Sequence, residues 1–293
     1  MIQDLSSYMN ECKKLLDQEL PSYINHLEMP ESLKEAMLYS IHAGGKRIRP
    51  ILMLATVEAF GESIDQAIPI ACAVEMIHTY SLIHDDLPAM DNDDLRRGKP
   101  TNHIVFGEAA AILAGDALLT QSFELIADSN LTSEQKVELI KLLSHAAGPS
   151  GMVGGQMADL DGEKQALTLE QLEYIHHHKT GKLLMFSIMA GAIIGNASPL
   201  QREHLQAFGE HIGLSFQISD DILDVEGDEG KIGKQPGSDE NNEKSTYPKL
   251  LSLKGAKEKL KHHFDEGLSH LSAANIKENR LRSIAKFIVE RDH

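Results

Sequence analysis

The sequence has few cysteines and no apolar run long enough for a membrane span. Its two cysteines, Cys12 and Cys72, cannot build a disulfide framework and are typical of a protein in a reducing cytoplasm. The N-terminus carries Asp4 where a secretory leader would be basic. The longest uncharged stretch, residues 183–200, is interrupted by glycine and proline and predicts a buried helix, because a span needs roughly 20 apolar residues. We expect a cytoplasmic protein without a membrane span.

Basic residues are also scarce. Lys and Arg number 28 against 44 Asp and Glu, which gives a formal net charge of −16 with neutral His. A surface that binds nucleic acid normally shows a basic excess, so nucleic acid is not expected as a partner. Apolar residues make up 42% of the chain, the balance of a globular protein with a large core.

Several catalytic motifs are missing from the sequence. It contains no H-E-x-x-H, C-x-x-C or G-x-S-x-G motif and no dinucleotide-binding fingerprint. The three contiguous histidines at 176–178 would point in different directions on a helix, which makes them a poor metal cage. Zinc, thiol and serine-hydrolase chemistry are therefore set aside.

The sequence has residues that typically begin and end helices, and it lacks the alternating runs that would indicate β-strands. Pro30 opens a segment that stops at Gly44-Gly45, and Pro50 opens the next. No linker rich in Pro, Ser or Gly divides the chain, so the sequence predicts one all-α domain over 1–293, with about ten helices and a mobile loop at 226–247. Three helices are predicted to begin with capping boxes, namely Thr132/Gln135, Thr168/Gln171 and Ser198/Gln201.

A first cluster of aspartates lies at the end of the helix predicted for residues 70–87. Asp85 and Asp86 precede Pro88, and Asp91 follows it. Proline ends or distorts a helix, so a break here would bring Asp91 back toward Asp85. Carboxylates at a helix C-terminus are repelled by one another and by the negative end of the helix dipole. They therefore require nearby cations to stay ionised.

The second cluster lies on one face of a helix that begins near Pro199. Gln217, Asp220 and Asp224 recur at i, i+3 and i+7, with Asp221 beside them. An apolar stripe normally has this spacing, so the polar side chains indicate binding. They suit Mg²⁺, which keeps several waters and bridges carboxylates to substrate phosphates. For either cluster alone, the alternative is a solvated acidic face.

Basic residues cluster near these aspartates. Three cations at 46–49 directly precede the helix at Pro50, where free backbone N–H groups favour an anion, and they predict a diphosphate pocket. Guanidinium groups close to the first cluster would bind phosphate oxygens. Taken singly, each cation is more typical of a surface charge. The remaining basic groups are Arg96, Arg97 and Lys99, Lys179 and Lys182, and Lys234 and Lys244 in the long loop.

Together these motifs resemble the trans-isoprenyl diphosphate synthases, most closely the bacterial members that form farnesyl diphosphate. They occur in order from about residue 30 to residue 248. Ser219 stands where this family commonly has Lys or Gln. The motifs are Gly44-Gly45-Lys46-Arg47-Ile48-Arg49-Pro50, Asp85-Asp86-Leu87-Pro88-Ala89-Met90-Asp91, Arg96-Arg97-Gly98-Lys99, Gly154-Gly155-Gln156, Lys179-Thr180-Gly181 and Phe216-Gln217 with Asp220-Asp221 and Asp224.

The resemblance implies an all-α homodimer with a deep central cavity lined by the two aspartate motifs, and about three Mg²⁺ ions. The implied substrates are isopentenyl diphosphate and the allylic diphosphates dimethylallyl and geranyl diphosphate. The allylic substrate would ionise to a carbocation, and attack by isopentenyl diphosphate would give a C15 product.

The resemblance also implies the roles of individual residues. Tyr80, five residues before Asp85, would form with Ser81 the floor that limits product length. The implied metal ligands are Asp85, Asp86, Asp91, Asp220 and Asp224. The implied allylic diphosphate ligands are Arg96, Lys179, Thr180, Gln217 and Lys234, with Lys244 as a closing contact. The implied isopentenyl diphosphate ligands are Lys46, Arg49, His78 and Arg97. The residues implied to act in catalysis are Asp85, Asp86, Asp91, Arg96, Lys179, Asp220 and Lys234.

Three alternatives remain open from the sequence. A geranylgeranyl or longer-chain synthase shares the chemistry and differs in cavity depth. A helical protein that binds diphosphate or metal without turnover would share the charged clusters. A terpene cyclase would ionise a similar substrate, but it would not need a second diphosphate pocket formed by Lys46, Arg49 and His78.

Overall fold

The computed structural model describes residues 4–163, 165–226 and 245–290. Most of these residues are helical. A 3-10 turn, Ile64–Gln66, precedes α4, and a π-helical turn, His177–Gly181, joins α9 to α10. The predicted all-α class is confirmed. The α-helices are α1 (Leu5–Asn25), α2 (Glu31–His42), α3 (Ile48–Ala59), α4 (Ile68–Asp85), α5 (Asn102–Phe106), α6 (Glu108–Asp128), α7 (Ser133–Ala147), α8 (Met152–Gly162), α9 (Leu169–His176), α10 (Lys182–Ile194), α11 (Pro199–Glu226), α12 (Tyr247–Ala273) and α13 (Asn279–Glu290).

The three predicted capping boxes are confirmed. At the start of α9 the Thr168 hydroxyl accepts from the Gln171 N–H at 3.3 Å, and the Gln171 side chain accepts from the Thr168 N–H at 2.9 Å. The same reciprocal pair precedes α7 and α11. The start of α3 differs from the prediction, because the helix begins at Ile48 and Pro50 occupies its first turn. Proline is tolerated there because first-turn N–H groups lack helical acceptors.

A short hairpin that the sequence did not predict interrupts the helices. Strands β1 (Leu95–Arg96) and β2 (Lys99–Pro100) pair antiparallel, with Arg96 opposite Lys99. The turn residues Arg97 and Gly98 have φ values of 55° and 74°. Positive φ at both central positions is what a type I′ hairpin turn requires. Strands of two residues are too short to show alternation in the sequence.

The contacts within the chain group into two compact units. The first contains the described residues up to Leu54 together with Ser63–Ile140, and in it α6 packs on α4 and α2. The second contains Ala55–Glu62 and the described residues from Lys141 onward, and in it α11 packs along α12 and α10. Helix α10 is buried on nearly all sides, which confirms the predicted buried helix, but it ends at Ile194 and does not reach residue 200. The single domain over 1–293 stays a prediction.

Among the described helices, α6 alone is long and apolar enough, by length and composition, to cross a membrane. Its most apolar window is 39% buried, and core helices of soluble proteins pass the same test. The absence of a membrane span therefore stays a prediction.

Arg47 is buried in the first unit and does not extend the expected row of surface cations before α3. Its Nη1 donates to Glu75 Oε1 at 2.7 Å and its Nε to Asp17 Oδ1 at 2.9 Å. Its Nη2 donates to the Ile41 carbonyl at 2.9 Å. These contacts connect the loop after α2 to α1 and α4, so Arg47 holds the loop that carries Lys46 and cannot itself face an anion.

Replacing Arg47 with methionine should lower the free energy of unfolding by roughly 3–5 kcal/mol, because the Glu75 carboxylate would be left buried without its partner. Urea unfolding measures this loss. The double change Arg47→Met with Glu75→Gln should restore part of it, since the unpaired charge is removed. A loss below about 1 kcal/mol for Arg47→Met, the value of an exposed ion pair, would contradict the structural role.

Candidate active site

The first acidic cluster lies where α4 ends. The helix ends at Asp85, two residues earlier than predicted, and Asp86 is its C-cap. The chain then turns back, so that the Asp91 N–H donates to the Asp85 carbonyl at 2.9 Å. Asp85 is half-buried and Asp91 is exposed. The expected return of Asp91 toward Asp85 is confirmed for the backbone.

The Asp86 carboxylate is held by Arg96 of the hairpin. Arg96 Nε donates to Asp86 Oδ1 at 2.6 Å, and its Nη2 donates to Asp93 Oδ2 at 3.3 Å. Burial raises the pKa of Asp86, while the charge of Arg96 opposes that rise. The contact fixes the direction of the Arg96 guanidinium, so Asp86 orients Arg96.

Arginines surround His78, which lies two turns before the end of α4. Burial lowers the pKa of His78 well below its usual range, and the charges of Arg49 and Arg97 add most to that effect. His78 is therefore neutral at physiological pH, in a region of positive potential. Such a region favours an anionic ligand.

The loop before α3 and the hairpin tip meet in the first unit. A Cβ on Gly45 would lie 2.8 Å from the Arg97 guanidinium, and Gly45 has a φ of 138° that favours glycine. Gly45 therefore lets Arg97 reach the loop where Lys46 is exposed and Arg49 is half-buried. The structure thus brings together the residues predicted for isopentenyl diphosphate.

Tyr80 is buried on α4, one turn before the carboxylates. Its ring meets His84 edge to face, with centroids 5.6 Å apart. Burial, and then the charge of Asp85, raises the pKa of Tyr80 to about 12, so the phenol stays protonated. The Ser81 hydroxyl donates to the His78 carbonyl at 2.9 Å, which directs it along the helix.

The π-helical turn is the central element of the second site. A Cβ on Gly155 of α8 would lie 2.2 Å from the backbone nitrogen of Lys179, and a Cβ on Gly213 of α11 would lie 2.9 Å from the Gly181 Cα. These glycines let α8 and α11 approach the turn closely. π-turns inside helices are frequent at functional sites. This close packing places Lys179 and Thr180 beside the acidic face of α11.

A cavity of about 200 Å³ lies in the second unit. Lys179 Nζ contacts Asp159 Oδ2 of α8 at 2.7 Å. Asp224, one turn beyond Asp220, does not line the cavity. The structure therefore joins four predicted residues in one site and leaves Asp224 beside it. The polar residues around the cavity include Asp159, His176, Lys179, Thr180, Gln217 and Asp220.

His176 and Asp221 organise this cavity, and the sequence did not indicate either role. The Gln217 amide donates to His176 Nδ1 at 3.0 Å, and the His176 ring stacks on Tyr247. Asp221 Oδ2 accepts from the Tyr247 N–H at 2.9 Å and so caps the start of α12. The sequence offers one indication of these roles. Gln217 and Asp221 are four residues apart on α11, so they share a face, and an aromatic residue, Tyr247, follows the long loop.

Residues 30–283 match the polyprenyl synthetase family. The chain belongs to this family. It is 56% identical over 292 residues to the farnesyl diphosphate synthase of Geobacillus stearothermophilus, covering 99% of this chain and 98% of that protein. It is 53% identical over 296 residues to the Bacillus subtilis enzyme of the same name, covering 100% of both. It also resembles the structure of an FPP/GFPP synthase from Zymomonas mobilis, with a TM-score of 0.87, 37% identity, and coverage of 98% of this chain and 99% of that one.

The acidic residues of this polyprenyl synthetase fit a magnesium that is shared with a substrate. No three His, Cys, Asp or Glu side chains of the described residues converge as a complete metal cage. Mg²⁺ usually takes only one or two protein carboxylates and completes its shell with waters and phosphate oxygens, so carboxylates that do not form a full cage fit it. Lys234 and Lys244, predicted to bind the allylic diphosphate, lie outside the described residues, as does most of the predicted loop at 226–247.

The neutral His176 of this polyprenyl synthetase should make its stability depend on pH. Burial lowers the pKa of His176 to about 4, against about 6.5 in an unfolded chain. The unfolded state therefore binds this proton first, and stability falls as the pH drops from about 6.5 to about 4. When the pH is lowered from about 7 to about 5, the free energy of unfolding should fall by about 2 kcal/mol less in His176→Gln than in the wild type. Urea unfolding at the two pH values measures this difference. Equal losses would show that His176 is not buried as a neutral ring.

Proposed function

We propose that the protein is a farnesyl diphosphate synthase. It condenses isopentenyl diphosphate with dimethylallyl diphosphate and then with geranyl diphosphate, and each step releases diphosphate. The observation that carries this proposal is the cavity where Lys179, Thr180 and Gln217 lie beside Asp220. One cation beside several carboxylates in one cavity suits a magnesium-bound diphosphate. The sequence identity to enzymes of that name supports the C15 product.

Charged donors hold the allylic diphosphate. Lys179 and Arg96 donate to its oxygens, which stabilises the charge that develops as the C–O bond breaks. The residues that would hold magnesium are Asp85, Asp91, Asp220 and Asp224. Bound Mg²⁺ would supply further neutralisation of the leaving diphosphate. Asp86 contributes by orienting Arg96.

The isopentenyl diphosphate is held by the first unit. Lys46, Arg49 and Arg97 provide positive charge, and the neutral His78 provides an N–H donor. The double bond of this substrate attacks the allylic cation, and the new cation loses a proton to the released diphosphate. Fixing both substrates makes the reaction effectively unimolecular, which contributes much of the rate acceleration.

We propose that the enzyme works in the cytoplasm as a homodimer. Four exposed apolar side chains lie close together in sequence on α5 and α6 of the first unit, and they support a subunit contact. The side chains are Ile104, Val105, Ile112 and Leu113, which are 52%, 45%, 43% and 58% exposed.

Leu113→Glu should shift the protein from dimer to monomer in sedimentation equilibrium, because a charge would be buried in the contact. Val137→Glu, an exposed position on α7, is the control; a wild-type monomer would contradict the dimer.

Product analysis tests the function. Isopentenyl and geranyl diphosphates are incubated with the protein and Mg²⁺, and the products are chromatographed. We expect a C15 diphosphate with one inorganic diphosphate released per condensation, and no product after chelation of magnesium. Longer products would indicate a longer-chain synthase, and a hydrocarbon formed without isopentenyl diphosphate would indicate a cyclase. No diphosphate release would indicate a binding protein without turnover.

A further inference from the structure

Four histidines face one another between α11 and α12, away from the groups assigned to catalysis. His204 and His211 lie seven residues apart on α11, and His263 and His270 lie seven apart on α12. The Nδ1 atoms of His204 and His270 are 3.2 Å apart, and those of His211 and His263 are 2.9 Å apart. We call this arrangement the histidine ladder, with an outer rung (His204 and His270) and an inner rung (His211 and His263).

The close packing of α11 and α12 holds the ladder together. Gly267 lies between His263 and His270 on α12, and a Cβ at this position would lie 3.2 Å from the His211 Cβ. The His211 ring also stacks on His270, with centroids 5.9 Å apart and planes at 20°. The two rungs are therefore in contact, and their imidazoles are placed by the helix backbones.

The inner rung presents neutral imidazoles at physiological pH. Burial lowers the pKa of His263 to about 4, and the neighbouring His211, Lys259 and His262 lower it further. Burial also lowers the pKa of His211, with His270 and His262 acting in the same direction and Glu266 and Glu210 opposing. A neutral ring has the lone pair that a metal ligand needs.

One ring nitrogen of the inner rung has no use in the protein fold. His263 is 8% exposed, and its Nε2 is buried without a hydrogen-bond partner among the described residues. In each rung two Nδ1 atoms face each other, so the gap holds one N–H donor and one lone pair when both rings are neutral. If the Nδ1 proton moved to the Nε2 of the same ring, both Nδ1 atoms of the rung would present lone pairs to the gap between the rings.

We propose that the histidine ladder binds a late first-row divalent cation such as Zn²⁺, Ni²⁺ or Cu²⁺. Two nitrogens bound to one ion at about 2.0–2.1 Å lie about 2.9–3.4 Å apart in octahedral or tetrahedral geometry. The observed separations of 2.9 and 3.2 Å fall in that range. Imidazole suits these metals, whereas Mg²⁺ prefers oxygen, so the catalytic magnesium does not compete.

Each rung supplies two protein ligands, and water completes the coordination. This matches the absence of any three-ligand metal cage among the described residues. An ion bound to either rung cross-links α11 to α12. Because the paired rings exist only in the folded state, the ion binds that state more tightly and stabilises the second unit. The proposal does not depend on the prenyltransferase function, because none of the four histidines is assigned to it.

Zinc binding to the full-length protein tests the ladder. Equilibrium dialysis with Zn²⁺ is carried out in a millimolar excess of Mg²⁺, which occupies the carboxylate sites. The double variant His211→Gln/His263→Gln should bind zinc on the order of 10-fold more weakly than the wild type. The same substitution at the exposed His26 serves as the control and should leave the affinity unchanged.

Two further measurements keep the test decisive. Zinc should raise the unfolding temperature of the wild type and of His26→Gln, and raise it less in the inner-rung variant. If the inner-rung variant does not fold, the outer-rung variant His204→Gln/His270→Gln should show the same loss of zinc affinity. No zinc binding by the wild type in excess Mg²⁺, or equal affinity in the wild type and the ladder variants, would overturn the proposal.

Discussion

Replacing Asp220 with asparagine should lower kcat for farnesyl diphosphate formation on the order of 10³-fold, equivalent to about 4 kcal/mol of transition-state stabilisation. The substitution keeps the size and shape of the side chain but removes the charge that would hold magnesium against the leaving diphosphate. The loss should appear in kcat more than in KM, because the charge on the diphosphate grows in the transition state. Steady-state release of inorganic diphosphate measures the effect.

Two other aspartates provide comparisons. Asp265→Asn on α12 changes an exposed carboxylate that pairs with Lys261, and it should leave kcat unchanged. Asp221→Asn weakens the cap on α12 and should lower the unfolding temperature. If Asp220→Asn retained wild-type kcat at saturating magnesium, the assignment of Asp220 as a metal ligand would be wrong.

Replacing Tyr80 with alanine should extend the product from C15 to C20 or longer. The Tyr80 ring is 5% exposed and lies on α4 five residues, about 7.5 Å of helix rise, before Asp85. Removing it would leave room at the place where the growing chain is proposed to end. Chromatography of the products after dephosphorylation measures the shift.

Tyr80→Phe is the matched control, because it keeps the ring and removes only the hydroxyl. It should still give the C15 product. Tyr80→Ala should also lower the free energy of unfolding by roughly 3–5 kcal/mol, since it leaves a cavity in the core. An active Tyr80→Ala enzyme that still stopped at C15 would show that another residue limits the chain length.

Local chemistry made much of the helical fold predictable. The hydroxyl and glutamine of each capping box act within four residues, so their pairing is readable from the sequence. The periodic acidic face of α11 was readable for the same reason, because residues spaced by three and four share a face of any helix. The boundaries were less accurate, as shown by α3 beginning before Pro50.

The features that the sequence missed depend on contacts between distant segments. Arg47 looked like its neighbours Lys46 and Arg49, and only burial against Glu75 separates it from them. The π-helical turn depends on close packing allowed by Gly155 and Gly213, which no local pattern indicates. The positive φ of Arg97 is not predictable from the sequence, because a cluster of cations is more typical of a binding motif than of a turn.

The measurement that tests the central claim most directly is the binding of a non-reactive thiolo analogue of geranyl diphosphate, by calorimetry with and without Mg²⁺. The claim is that Asp85 and Asp220 serve the same reaction. Asp85→Asn and Asp220→Asn should each weaken magnesium-dependent binding, and the double variant should lose less than the sum of the two losses. Additive losses, or a loss from only one of the two substitutions, would mean that the two clusters act on separate ligands.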